Sequence, residues 1–356
     1  MHGKTKRLFL VAPNPCGRPM AGDKPLRYEI ALKFLNINKS YYFFMRIKIT
    51  LSAHKSAIVD FNYQHQIQAL IYEFLSRSNP DYAQWLHQQG FVYKRDKRFK
   101  FFVFSGILFH GPIKLRTSHA THPGSWNGLS GLNGLNRSNG FLFHASQANP
   151  FTFSFCIASP VDTFIQHLIE GIFSEGQEVR LGKNTFCVHR IETLPEPLDD
   201  LNRLNCLNGL NGLIGLSRLI TITFRPLESP IFVKKPMPPG QQDIFLFPGD
   251  KEYEDLLNQN LKDKYETLYG KSYKGEMLTF DFHTIKGKSV KHFTVFKKGM
   301  DGSLRAVNIK GTLQPFTVTG TKELIQIGLE CGFGQNNSMG CGYVEVAQTV
   351  ETVQAV

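Results

Sequence analysis

The chain has 356 residues, with 41 Lys+Arg against 29 Asp+Glu, a formal charge of +12, and 42% hydrophobic against 20% charged residues. That apolar share excludes wholesale disorder, and the length suits about two domains. No stretch approaches the ~20 apolar residues of a membrane-spanning helix, and the apolar run before Pro13 is too short for a secretory signal, so a cytoplasmic protein without a membrane partner is expected.

The six cysteines (Cys16, Cys156, Cys187, Cys206, Cys331 and Cys341) are scattered without a CxxC pair and read as reduced, mostly buried thiols. There is no HExxH and no GxxxxGK[ST], so neither metal hydrolysis nor P-loop chemistry is indicated, and no metal or cofactor is expected.

In chain order, residues 1–44 hold eight basic and two acidic residues, half of the net charge, and are broken by Pro13, Pro15, Pro19 and Pro25. They read as a disordered basic arm or an N-terminal extension from a mis-set start. Met45–Ser52 alternates like a half-buried strand. In Tyr63–Ser76, the residues Ile67, Leu70, Ile71, Phe74 and Leu75 form one helical stripe. Asn79-Pro80 then supplies an N-cap and a first helical residue for a short helix, Pro80–Gln89. An aromatic strand is predicted over Phe99–Phe109, strand material over Phe141–Ser154, a helix over Val161–Ile172 and a strand over Thr185–Thr193.

The second half repeats this order. Strands are predicted at Leu219–Phe224 and Ile231–Lys234, a helix at Asp250–Tyr269, and strands at Met277–His283, His292–Phe296 and Phe316–Thr319. A helix from Thr321 to Cys331 and a strand Tyr343–Ala347 close the chain. Two β-α-β-β-α-β units account for the pattern: an α+β protein of two tandem ferredoxin-like (RRM-like) domains. The expected divisions are an arm 1–44, a first domain 45–197 with a Leu-Asn-Gly insertion at 128–140, a low-complexity linker 198–217, a second domain 218–347 and a tail 348–356. Both Leu-Asn-Gly stretches read as loop expansions.

Between the last helix and strand stands Gly332-Phe-Gly334-Gln-Asn336-Asn337-Ser338-Met-Gly340-Cys-Gly342. Such backbone turns sharply or approaches something closely, and exposed amides beside Asn336, Asn337 and Ser338 suit a phosphate backbone. It lacks the third glycine of a dinucleotide fingerprint and precedes a strand rather than following one. A second basic feature is Lys286, Lys288, Lys291, Lys297 and Lys298 on a predicted hairpin, with Phe293 and Phe296 interleaved, a surface suited to neutralising phosphates and stacking bases.

The segment GFGQNNSMGCGYVEV closely resembles the C-terminal signature of the CRISPR-associated repeat-RNA endoribonucleases, the Cas six family of the RAMP superfamily. MRIKITL, the stretch from Tyr63 to Tyr72, Ser78-Asn79-Pro80, Trp85-Leu86-His87 and Lys100–Ser105 are similar to that family too, as are Glu178–Leu181 and Thr185–Leu194. Cys341 departs from it, standing where the family's loop usually carries an aromatic or aliphatic residue. The resemblance covers Met45 to Val346 without the insertions. It implies metal-independent cleavage of CRISPR precursor RNA within repeats, by 2′-OH attack, leaving 2′,3′-cyclic phosphate and 5′-OH ends. It implies repeat RNA as partner, effector-complex subunits as further partners, and a monomer or homodimer.

Carried over by motif, the family's Tyr, His and Lys fall on Tyr72, His87 and Lys100, with Lys94 and Lys97 as rivals to the lysine. The types fit the chemistry. RNA supplies its own nucleophile, a histidine titrating at about 6.5 moves protons near neutral pH, and an ammonium stabilises a charged phosphorane. Each has a plainer role: His87 as a helix-end residue, Tyr72 as a boundary aromatic, Lys100 as one of a solvated basic run. His65, two turns from Tyr72 on the same helix flank, is the next histidine. The other readings left open are a non-cleaving repeat-RNA-binding subunit of an effector complex and an unrelated module of the same topology.

Overall fold

The computed structural model describes residues 9–11, 45–94, 97–116, 139–174, 178–198, 219–238, 243–284, 289–298 and 304–350. Most of the basic arm, most of both Leu-Asn-Gly stretches, all of the 198–217 junction after Leu198, Lys286 and Lys288 lie outside them. From the arm, Phe9–Val11 pairs antiparallel with residues 190–192 as a short edge strand.

The first half contains β1 (Met45–Ala53), α1 (Gln64–Ser78), α2 (Pro80–Gln88), a hairpin of β2 (Phe91–Tyr93) and β3 (Lys97–Phe99), β4 (Phe151–Ser159), α3 (Asp162–Ser174) and β5 (Asn184–Leu194). The sheet runs β5-β1-β4, then the short edge strands Val103–Phe104 and Leu108–Phe109. That fourth-first-third-second order is the ferredoxin-like arrangement. The continuous aromatic strand predicted over Phe99–Phe109 is instead three short pieces. Phe101 sits at φ 50°, a left-handed conformation that stops a strand, and Gly106 lies against Glu228 where a side chain would not fit.

The second half contains β6 (Leu219–Pro226), α4 (Tyr253–Tyr269), β7 (Thr279–Phe282), β8 (Val290–Lys298), β9 (Leu304–Thr312), β10 (Phe316–Thr321), α5 (Lys322–Cys331) and β11 (Val344–Val350). Its sheet order, β7-β10-β6-β11, is again ferredoxin-like, with β8 and β9 forming a separate hairpin. The molecule is thus an α+β protein of two tandem ferredoxin-like units. Strand β9 was not foreseen, and it changes the surroundings of β8.

β1 is buried on both faces rather than half-buried. Ile47, Ile49 and Leu51 enter the first core, while Arg46, Thr50 and Ser52 are covered as well. The Arg46 guanidinium donates to the Val344 carbonyl at 2.5 Å and lies 4.5 Å over the Tyr343 ring, so a charge on the first sheet is satisfied by the second half. β4 does the same with apolar groups. Phe153, Phe155 and Ile157 face the first core, whereas Cys156 and Ala158 join the second. Continuous packing across the junction sets the two halves against each other, and the sites described below lie along it. The cysteines at 156, 187, 331 and 341 are buried.

Candidate active site

Two helices meeting at a sharp corner place the first two site residues. The α1 stripe Ile67, Leu70, Ile71, Phe74 and Leu75 is at most 1% exposed and packs on α3, where Gly171 is required because a Cβ would collide with the Phe74 carbonyl. At the corner the Asn79 side chain accepts from Tyr82 N at 3.0 Å, with Pro80 opening α2. The hydroxyl of Ser78 is 2.9 Å from His167 Nδ1 and donates to Glu170 Oε2 at 2.8 Å, tying the corner to α3. Ala83 and Leu86 bury the inner face of α2, leaving His87 exposed on its last turn.

Tyr72 and His87 come together edge to face, ring centroids 5.1 Å apart at 83°. Phe102 closes the other side of Tyr72 at 5.9 Å. The Tyr72 hydroxyl is buried without a hydrogen-bond partner among the described residues, and burial, reinforced by nearby Tyr82, pushes its pKa well up. The Tyr72 hydroxyl is therefore held in its protonated form.

Lys100 reaches the same corner. Its ammonium donates to the carbonyls of Leu86 and His87, two of the last carbonyls of α2, where a cation complements the helix dipole. Burial, with the Arg98 charge adding to it, lowers its pKa to about 8. Of the rival lysines, Lys97 donates to Asp263 at 2.6 Å and Lys94 lies over the Tyr93 ring. Among the three, only Lys100 is bonded at His87. His65 is held by the Asn62 carbonyl, 2.7 Å from its Nδ1.

The glycine-rich loop between α5 and β11 packs against this corner from the second half. Gln68 of α1 donates to the Ser338 carbonyl at 2.7 Å. The loop is largely self-satisfied: Phe333 N donates to Gly342 O, Gln335 N to Phe232 O, Gly340 N to Asn337 O and Gly342 N to Pro230 O, all at 2.8–3.0 Å. Gly332, Gly334, Gly340 and Gly342 all have positive φ and are buried, so they shape the backbone of the loop. Gln335, Asn336, Asn337, Ser338 and Met339 are its half-exposed part, and Asn337 is already bonded to the Cys341 carbonyl at 2.9 Å.

Comparison with known proteins addresses each half separately. Residues 58–124 match the family model "CRISPR-associated protein Cas6, N-terminal", and residues 217–346 match "CRISPR associated protein Cas6, C-terminal". The chain belongs to the Cas6 family. It is 26% identical over 302 residues to CRISPR-associated endoribonuclease Cas6 1 of Methanocaldococcus jannaschii, covering 84% of this chain and 92% of that one. It is 27% identical over 297 residues to the Cas6 endoribonuclease of Pyrococcus furiosus, covering 83% and 87%. A solved Cas6-related protein from Pyrococcus furiosus superposes with a TM-score of 0.57 at 19% identity, covering 86% and 99%, and so shares the fold.

The basic hairpin of this Cas6-family chain differs from its sequence reading. Lys291 does not project freely: its ammonium donates to the Glu228 carbonyl at 2.7 Å and carboxylate at 3.1 Å, and to the Tyr63 hydroxyl at 3.3 Å. Phe293 is 2% exposed: β9 pairs alongside β8 and sets Ile309 next to it, and Phe232 and Cys341 cover the face expected to be open. Lys297 and Lys298 end β8, and their side chains lie outside the described residues.

Two residues of α4 escaped the sequence reading. Lys264 is fully buried, and its Nζ donates to the carbonyls of Gly332 and Gly334 at 2.6 and 2.9 Å. It continues the apolar stripe Tyr253, Leu257, Leu261, a signal of burial visible in sequence. Asn260, one turn earlier, is 4% exposed. Burial lowers the Lys264 pKa from 10.5 to about 7. Below pH 7 the amine is charged in both the folded and unfolded states. As pH rises toward 10.5 the folded state has already lost the proton, so its stability rises with pH. The melting temperature of wild type relative to Lys264→Met is therefore expected to climb between about pH 6.5 and 9.5, and a constant difference would show that the amine does not titrate there.

Proposed function

We propose that the protein is a metal-independent endoribonuclease that cleaves CRISPR precursor RNA within its repeats. The observation that carries this is the meeting of Tyr72, His87 and Lys100 at one corner, from two helices and the segment after β3. Membership of the Cas6 family and the names of its curated relatives support it.

The reaction needs three things: removal of the 2′-OH proton, in-line formation of the 2′-O–P bond as the P–O5′ bond breaks, and a proton for the leaving O5′. The exposed His87 ring carries a proton transfer. Tyr72, held neutral, donates a hydrogen bond that positions the 2′-OH or the leaving oxygen. Lys100, turned from the carbonyls of α2 to the phosphate, offsets the charge gathering on the phosphorane. Products are a 2′,3′-cyclic phosphate and a 5′-OH.

The test is cleavage of the cognate repeat RNA in EDTA, with and without a 2′-deoxy substitution at the scissile nucleotide. Full activity in EDTA, no cleavage of the deoxy substrate and a cyclic phosphate on the product are expected. Binding without cleavage under every condition would instead identify a repeat-RNA-binding subunit, and rate recovery only with added metal would overturn the mechanism.

A further inference from the structure

A cleft of about 330 Å³ runs between residues 97–102 of the first half, helix α4 and the glycine-rich loop. Lys100, the residue bonded at His87, lines it, so its contents lie beside the reacting corner. Most of the polar groups around it already have partners. Lys97 is bonded to Asp263, Lys264 to the carbonyls of Gly332 and Gly334, and Asn337 to the carbonyls of Phe333 and Cys341.

Asn260 is the exception. The residue lines the cleft and is 4% exposed, and its Oδ1 is buried with no hydrogen-bond partner among the described residues. Its neighbour Asn258, by contrast, satisfies both ends of its amide on the backbone of Leu278. Buried amide oxygens are rarely left unpaired without reason. Across the cleft, the Asn336 side chain and the Ser338 hydroxyl have no partner among the described residues either. Asn336 is held at φ 57°, which fixes it in the loop.

We propose that this cleft receives one unpaired nucleotide of the RNA substrate, next to the scissile phosphate, and that Asn260 reads its base. The volume is at the lower end of ligand sites, enough for a single nucleotide. Arg98 and Lys100 supply cations for its phosphates, and Phe99, Phe101 and Phe102 supply an apolar wall. The terminal torsion of an asparagine is soft, so a turn about it presents Oδ1 and the amide NH₂ together. That pair of groups matches the N6 donor and N7 acceptor of adenine, so adenine is the base favoured. In double-stranded RNA these edges are hidden, so the nucleotide read is single-stranded.

This inference rests on RNA being the substrate, and the experiment separates the two. Repeat RNAs carrying an abasic nucleotide at each unpaired position flanking the cut are titrated against wild type, Asn260→Leu and Asn336→Gly, with melting temperatures as the folding control. Glycine is unstrained at the positive φ of residue 336, so that variant removes the side chain and leaves the loop in place. One abasic position is expected to weaken wild-type binding by roughly 5–150-fold, and to have little further effect in Asn260→Leu and a reduced effect in Asn336→Gly. Abasic penalties that persist undiminished in both variants, or no sensitive position in wild type, overturn the pocket while leaving the nuclease intact. Failure of wild type to bind repeat RNA at all overturns both.

Discussion

Replacing His87 with alanine is expected to slow cleavage of repeat RNA by roughly 10²–10⁴-fold while leaving RNA affinity nearly unchanged. The imidazole is exposed at the end of α2 and anchors no core, since Ala83 and Leu86 bury that helix. Loss of folding is therefore not the expected cause of lost activity, and the melting temperature should move little. The Tyr72 ring, which His87 covers, remains packed on Phe102. The control is His65→Ala, whose ring is bonded to the Asn62 carbonyl and whose loss should alter the rate only a few-fold. Single-turnover rates at saturating RNA, with binding measured in parallel, decide the matter. Equal losses in the two variants, or unchanged cleavage in His87→Ala, would remove His87 from the mechanism.

Gly342→Ala should be the most damaging conservative change in the glycine-rich loop. Gly342 has φ 84°, and a Cβ there would collide with the carbonyl of Phe333, the residue whose N–H closes the loop by donating to Gly342 O. A left-handed conformation costs an L-residue about 1–2 kcal/mol, and the clash adds to it, for a loss of roughly 3 kcal/mol or more. On a chain of this size that lowers the melting temperature by several degrees. Gly270→Ala isolates the backbone part, because Gly270 ends α4 at φ 64° with nothing near its absent Cβ. It should lose only about 1–2 kcal/mol. Similar melting temperatures for the two variants would show that the loop yields to accommodate a methyl group.

The contrast between those glycines shows where sequence reasoning stopped. A cluster of glycines signals unusual backbone but not whether the approach is to a phosphate or to the protein itself. Here the carbonyls of Phe333, Phe232 and Pro230 and the amine of Lys264 fill the loop's surroundings, and Asn337 is spent on the carbonyls of Phe333 and Cys341.

Local pattern determined the rest of what could be read in advance. The stripe Ile67 to Leu75, the Asn79-Pro80 cap and the alternation of Met45–Ser52 depend on neighbours in sequence, and those elements lie where they were expected. The double β-α-β-β-α-β order followed from them, and with the motif around Trp85-Leu86-His87 it put Tyr72 and His87 on adjoining helices. What the tertiary structure alone decided are the outcomes of contacts between residues far apart in the chain. It bonded Lys100 at His87 and Lys97 to Asp263 of α4, and it buried Phe293 against Phe232 and Cys341. It drew Lys291 onto Glu228 and Tyr63, and it left the Asn260 Oδ1 without a hydrogen-bond partner among the described residues. Helix and strand signals come from periodicity within one segment. The partner of a charge or an amide is set by which surfaces meet when the two halves pack, and no single segment carries that information.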